Sequence, residues 1–172
     1  MPLPVYDRFT ASRTVPLPGG YILPPGEIRI ARLLRLHGIE VRRLERDWSG
    51  NGEVFRLDSI ARAEDPFEGH PLVSIEGAWE PDTLAVPAGA LYVSTAQPLG
   101  RLVFELLEPA GYGLARWNVF DRRLGRAQGA LAGLVYGSRP VPTFPMWRVH
   151  RDPGVPMRTL GPTRSLGPGP QS

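Results

Sequence analysis

The sequence contains no cysteine and no lysine, and each absence excludes a class of chemistry. Without cysteine, the 172-residue chain can form no disulfide, no thiol nucleophile and no thiolate metal site. All 20 basic residues are arginine, so the formal net charge of +3 barely changes at alkaline pH. No window reaches the ~18 to 20 uninterrupted apolar residues that cross a bilayer, and no basic segment followed by an apolar run opens the chain. We expect a soluble cytoplasmic protein without membrane association.

The proportions of residue types favour one folded domain with less structured ends. Hydrophobic residues make up 42% of the chain and charged residues 22%, as in ordinary globular proteins. Glycine and proline number 20 each, which predicts long loops. The last twenty residues contain too few apolar side chains to offset chain entropy. We predict an extended arm over residues 1–20, a single domain over 21–150 and a disordered tail over 151–172.

The positive charge is concentrated near the ends of the chain. Arg148, Arg151, Arg158 and Arg164 are balanced only by Asp152 in the last 25 residues, whereas acidic and basic residues nearly balance in the middle. Nucleic-acid-binding proteins usually carry a basic stripe on their folded face. The distribution therefore argues against nucleic-acid binding, which stays an alternative only through the arginine-bearing termini.

Two amphipathic helices flank a strand-rich middle. Residues 27–37 place apolar side chains on one face and arginines on the other, and Gly38 is suited to end the helix. Residues 99–107 repeat apolar side chains at helical spacing after Pro98, which predicts Leu102 and Leu106 in the core. Strand-like segments are 39–44, 52–63, 72–77 and 90–95, and the turn-rich residues 47–52 predict a hairpin between the first two.

This order of elements indicates an α+β fold. We expect a mainly antiparallel or mixed sheet that the two helices cover on one face.

Histidines and carboxylates give only weak candidates for a metal site. His37 and Glu40 have a His-x-x-Glu spacing, His70 lies in an acidic loop, and His150 follows far downstream. His37 lies on the apolar helix face, so we expect a core-structural histidine that is bonded to backbone. No nucleophile elbow, phosphate loop or His-Glu-x-x-His motif occurs. A metal-dependent hydrolase using these four residues stays an alternative.

Seven short motifs follow one another in a fixed order between about residues 17 and 124. They are YILPP (21–25), ARLLRLHGI (31–39), FEGH (67–70), PAGALYV (87–93), AQPLG (96–100), LLEP (106–109) and WNVFD (117–121). Their order resembles the C-terminal accessory portion of bacterial zinc metallocarboxypeptidases of the carboxypeptidase A type. The resemblance implies that the zinc ligands, the substrate-binding Asn-Arg pair and the catalytic glutamate belong to an N-terminal peptidase domain. No residue of this chain matches them.

The resemblance therefore implies a non-catalytic accessory or interaction domain with no cofactor of its own. Such a domain would act with a zinc peptidase in trans, or would be a remnant of a larger enzyme. Surface that a peptidase domain normally covers would leave exposed apolar side chains. We expect Val5, Tyr6 and Phe9 of the N-terminal arm to help cover that surface, through self-association or a protein partner.

Overall fold

The computed structural model describes residues 16–125 and 142–161, which form an antiparallel sheet with two helices. In the described residues the strands are β1 (Gly20–Leu23), β2 (Arg42–Leu44), β3 (Trp48–Arg62), β4 (Val73–Val86), β5 (Leu91–Ser94), β6 (Thr143–Val149) and β7 (Met157–Thr159). The helices are α1 (Ile28–Leu36) and α2 (Gly100–Leu107). The strand order is β4-β3-β6-β1-β5-β2-β7, and every neighbouring pair is antiparallel. This is an α+β-like arrangement in which the sheet dominates.

The core is divided between the two faces of the sheet. Successive side chains of a strand point to opposite faces, and in β1 Tyr21 and Leu23 belong to one apolar cluster while Ile22 belongs to the other. All three are fully buried, as expected for a strand near the middle of a sheet. The cluster that contains Tyr21 also receives the buried side chains of both helices, Ile30, Ala31, Leu34, Val103 and Leu107.

Both helices lie within one residue of the predicted bounds. Gly38 follows α1 with a φ of 81°, the left-handed conformation that favours glycine at a helix end. Leu102 and Leu106 are half-buried and pack against the core cluster, which is less burial than the helical spacing predicts. Among the described residues, neither helix is long and apolar enough to cross a bilayer.

The predicted hairpin between residues 39–44 and 52–63 is wrong. β2 pairs with β5 and β7, whereas β3 pairs with β4 from Trp48↔Val86 to Arg62↔Val73. The turn-like residues lie inside β3, where Gly50 and Gly52 make room for neighbouring side chains. A Cβ at Gly50 would meet the Trp48 ring, and one at Gly52 would meet Leu84. These glycines therefore serve close packing within a strand and not a turn.

The predicted disordered tail is also wrong for residues 151–161. Within this segment β7 pairs with β2, and the Leu160 amide donates to the Val41 carbonyl over 2.9 Å. Asp152 accepts a 2.7 Å hydrogen bond from Arg42. The edge of β2 supplies backbone partners, so the segment is ordered although it is poor in apolar residues. Residues 162–172 lie outside the described part of the chain.

Candidate functional site

His37 is exposed, so the predicted core-structural role is wrong. α1 ends at Leu36, which is itself 60% exposed, and His37 caps the helix by donating its backbone N–H to the Leu33 and Leu34 carbonyls. The chain then turns at Gly38, and Ile39 takes the buried position. The apolar face of the helix ends one turn before His37. Because His37 lies beyond the last helical turn, helical spacing does not determine where its side chain points.

The other three candidate metal ligands lie in different surroundings. Glu40 pairs with Arg42 over 3.6 Å, and His150 Nε2 lies 3.3 Å from Glu53 Oε2. His70 contacts Trp117 edge to face, with 5.9 Å between ring centroids. Within residues 16–125 and 142–161, no group of three or more histidine and carboxylate side chains could hold a metal ion.

A polar cluster, here called the Glu108 cluster, joins the end of α2 to the sheet. It consists of Tyr21, Glu53, Trp79, Glu108 and Arg148. Glu108 accepts hydrogen bonds from the Tyr21 hydroxyl (2.5 Å) and the Trp79 indole (3.0 Å), and Arg148 Nη1 lies 3.7 Å from it. Arg148 also donates to Glu53 over 2.5 Å and stacks on Trp79, 4.6 Å from the ring centroid.

The Glu108 cluster stabilises the fold. Tyr21 is fully buried, and burial followed by the Glu108 carboxylate raises the pKa of its hydroxyl well above the ordinary value of 10.0. The phenol therefore stays protonated and donates its hydrogen bond. Glu53 and Glu108 both receive charge-assisted contacts from Arg148, so the cluster satisfies the charges it buries. A phenol without solvent access cannot reach a ligand, so we assign the Tyr21 hydroxyl a structural role.

A second group of side chains forms an exposed surface, here called the aromatic patch, which consists of Phe67, His70 and Trp117. Phe67 is 55% exposed and Trp117 is 37% exposed, and their ring centroids are 6.1 Å apart. Phe67 and His70 close the loop between β3 and β4 by exchanging two backbone hydrogen bonds. Large aromatic side chains this exposed are uncommon, because burial gains them more free energy than any other residue type.

Strained backbone holds the aromatic patch in place. Glu68 has a φ of 49° and Asn118 a φ of 65°, and they are the two non-glycine residues with positive φ among those the structure describes. Each follows directly after an aromatic residue of the patch. The Asn118 side chain donates to the Pro71 carbonyl over 2.9 Å, which ties the two loops together. Such strain costs about 1 to 3 kcal/mol per residue and concentrates at functional sites.

Sequence reasoning missed the aromatic patch as a unit. His70 was a candidate metal ligand, and Trp117 lies 47 residues further along with no local pattern linking the two. The available signal was that both belong to motifs of the resemblance, FEGH and WNVFD. The proposed interaction residues Val5, Tyr6 and Phe9 lie outside the described residues.

Comparisons with known proteins point to one class, the carboxypeptidases. No protein-family model matches the chain, and no solved structure matches it significantly. The chain is 27% identical over 92 residues to Carboxypeptidase 2 of Trichophyton tonsurans, which covers 54% of this chain and 17% of that protein. It is 25% identical over 111 residues to Carboxypeptidase 2 of Trichophyton rubrum, covering 61% and 21%.

The chain thus spans about a fifth of the length of the curated relatives it matches. These relatives are fungal, and the similarity supports a carboxypeptidase-related segment.

Proposed function

We propose that this chain is a non-catalytic accessory domain of the kind found C-terminal to zinc metallocarboxypeptidases. It acts by binding a peptidase in trans, or it is a remnant of such an enzyme that keeps the binding surface. The observation that carries the proposal is the partial match itself. More than half of this chain aligns with about a fifth of Carboxypeptidase 2, as expected for one part of a larger protein.

Contacts between the resemblance motifs support a common structural unit. The Tyr21 hydroxyl of the first motif donates to Glu108 of the sixth. The Trp117 ring of the seventh motif packs against Phe67 and His70 of the third. Residues that are distant in sequence but belong to these motifs therefore meet in the fold, which is the arrangement expected if the motifs belong to one structural unit.

The aromatic patch is the surface that we assign to the partner. Tryptophan and other aromatic side chains dominate binding energy at protein interfaces, and a fixed backbone reduces the entropy lost on binding. Glu64, Asp65 and Glu68 are exposed in the same loop as Phe67. This acidic rim around an aromatic centre favours a partner surface with an apolar pocket bordered by basic residues.

A binding titration tests the partner surface. The chain is titrated with a zinc carboxypeptidase catalytic domain from the same cell, and the dissociation constant is measured by calorimetry. We expect Phe67→Ser and Trp117→Ser to weaken binding by about tenfold or more, as for interface hot spots. Leu36→Ser is the matched control, because Leu36 is at least as exposed as Phe67 and Trp117 but lies at the end of α1.

The outcomes of the titration are distinct. Circular dichroism of each variant shows whether the fold is kept. Equal affinity in the patch variants and the control would contradict the assignment of the aromatic patch as the binding surface. No binding by the unmodified chain would contradict the peptidase as the partner. Self-association through the patch without peptidase binding would contradict the peptidase as the partner, but it would support the patch as a binding surface.

The non-catalytic role has its own test. We expect the zinc-loaded chain to release no C-terminal amino acid from peptide substrates, because a metal-activated hydrolase requires both a bound metal and a positioned base. The competing hypothesis is a metal-dependent hydrolase that uses His37, Glu40, His70 or His150. Stoichiometric zinc and peptide hydrolysis that both disappear in His70→Gln or His150→Gln would establish that hypothesis in place of ours.

A further inference from the structure

A small cavity lies between α1 and the β5–β2 side of the sheet. Its volume is about 240 Å³, and it is lined by Ile28, Ala31, Arg32, Arg35, Arg43, Leu91 and Leu160, with Gly26 and Gly89 beside them. Three arginines and four aliphatic side chains therefore share one concave site. None of these residues belongs to the Glu108 cluster or to the aromatic patch.

The three arginines of this cavity have no anionic partner within the described chain. None forms an ion pair with a carboxylate of residues 16–125 or 142–161, whereas Arg42, Arg56 and Arg148 all do. α1 has the sequence IRIARLLRL, with three arginines and no acidic residue. Like charges this close on one helix repel each other unless an anion lies between them.

Arg43 adds two independent observations. Its Nε atom is buried and has no hydrogen-bond acceptor among the described residues, and an unsatisfied buried donor destabilises the fold. In addition, Arg43 of β2 lies directly opposite Arg158 of β7 in the antiparallel register. Directly opposite residues share a face of the sheet, and like charges in that position are destabilising. The Nε atom has no solvent access, so an anion would contact the Arg43 guanidinium through its terminal nitrogens. There it would offset the buried charge and the repulsion from Arg158.

The rest of the cavity is aliphatic. Ala31 and Leu91 are buried in the core cluster, Leu160 is half-buried against it, and Ile28 is 70% exposed at the cavity. A fully hydrated inorganic anion would leave the exposed parts of Ile28 and Leu160 in contact with water. An anion with a short hydrocarbon chain would satisfy the guanidinium groups and the aliphatic wall together.

We propose that this cavity binds a small monocarboxylate with a short aliphatic chain. Its carboxylate accepts hydrogen bonds from Arg43 and Arg35 at one end, and its chain packs on Ile28 and Leu160 at the other. The proposal does not rest on the accessory function, since it uses neither the aromatic patch nor a peptidase.

Four probe compounds test the chemistry by isothermal titration of the full chain. Hexanoate carries both features, acetate only the carboxylate, hexanamide only the hydrocarbon chain, and inorganic phosphate a higher charge without hydrocarbon. We expect saturable 1:1 binding of hexanoate, at least about tenfold weaker binding of acetate and phosphate, and none of hexanamide. No saturable binding of hexanoate overturns the proposal, and so does phosphate binding as tightly as hexanoate.

Variants test the location. Arg35→Gln and Arg43→Gln should weaken hexanoate binding by about tenfold or more, because each removes a charge-assisted hydrogen bond. Arg35→Gln, at a half-buried lining residue of α1, gives the same test where Arg43→Gln fails to fold. Arg29→Gln is the matched control, since it removes the same charge from α1 at a position outside this cavity. Equal weakening in the control would show general charge attraction and overturn the assigned site.

Discussion

Two buried tyrosines should make this protein unusually sensitive to alkaline pH. Burial, followed by the Glu108 carboxylate, raises the pKa of Tyr21, and burial is also the main cause that raises the pKa of Tyr92. The chain has no lysine and no cysteine, and arginine stays protonated throughout. Between about pH 9 and 11.5 the tyrosines are therefore the main titrating side chains. The change in the free energy of unfolding at alkaline pH therefore reports mainly on the tyrosines.

The sign of the effect follows from the pKa shift. Above its ordinary pKa of about 10, an unfolded tyrosine loses its proton, while Tyr21 in the folded state keeps it. The unfolded state then binds fewer protons, so the free energy of unfolding falls as pH rises. Each protected tyrosine contributes a loss of about 1.4 kcal/mol per pH unit above that point. From pH 8 to 11.5 Tyr21 should account for a loss of about 2 kcal/mol.

Urea unfolding followed by far-ultraviolet circular dichroism, from pH 8 to pH 11.5, measures this loss. Tyr21→Phe removes a donor from Glu108 and lowers stability at neutral pH, so the comparison is of slopes with pH. We expect the alkaline slope of Tyr21→Phe to flatten by about 1.4 kcal/mol per pH unit above pH 10. Tyr112→Phe is the control, because Tyr112 is 81% exposed. An unchanged slope in Tyr21→Phe would refute the reasoning.

Three further predictions concern the fold, each measured by chemical or thermal unfolding. Leu107→Ala, at a fully buried position of α2, should lower the free energy of unfolding by about 2 to 5 kcal/mol. Leu106→Ala should lower it clearly less, because that side chain is half-buried. Equal losses would contradict the assigned helix face. Gly77→Ala should cost at least about 1 kcal/mol, because its Cβ would collide with the Arg56 carbonyl, and a neutral effect would show that the two strands separate easily. Asp152 has a lowered pKa, since hydrogen bonds from Gly154 and Arg42 outweigh the raising effect of burial. Its contribution to stability is therefore present above the ordinary aspartate pKa of about 3.9 and is lost as pH falls below it. Asp152→Asn should consequently lose less stability on acidification than the wild type. The same loss of unfolding free energy in both proteins at acidic pH would contradict this.

The helices could be predicted from the sequence because their information is local. Apolar residues at helical spacing in residues 27–37 and 99–107 point to the same core cluster, so periodicity alone locates both elements. Strand pairing was not predictable in this way. Gly50 and Gly52 have the composition of a turn, but long-range packing against β4 and β6 makes them part of a strand.

The length of β4 was also underestimated, for a physical reason. Residues beyond Gly77 include Pro81, which argues against a central strand, but β4 is the edge strand, where a missing amide donor is tolerated. Similarly, β7 forms from a segment rich in proline and glycine because β2 offers it an edge. The composition of a segment does not show which strand it will pair with or whether that pairing is at the edge of a sheet.

The candidate site was the least predictable part. The sequence predicts His37 as a core-structural histidine, whereas the structure places it on the surface beyond its helix. The aromatic patch depends on a contact across 50 residues between Phe67 and Trp117, held by two strained backbone positions. Only the resemblance motifs indicated that both segments mattered, and they did not indicate that the segments touch.

Site-specific photo-crosslinking tests the central claim, that this chain binds a peptidase through the aromatic patch. A photoreactive phenylalanine analogue replaces Phe67 in one variant and Leu36 in a control variant, and crosslinked proteins from the native cell are identified by mass spectrometry. The account predicts a zinc metallocarboxypeptidase crosslinked from position 67 and absent from position 36. Crosslinks from position 67 that contain no metallopeptidase, or equal yields from both positions, would contradict it.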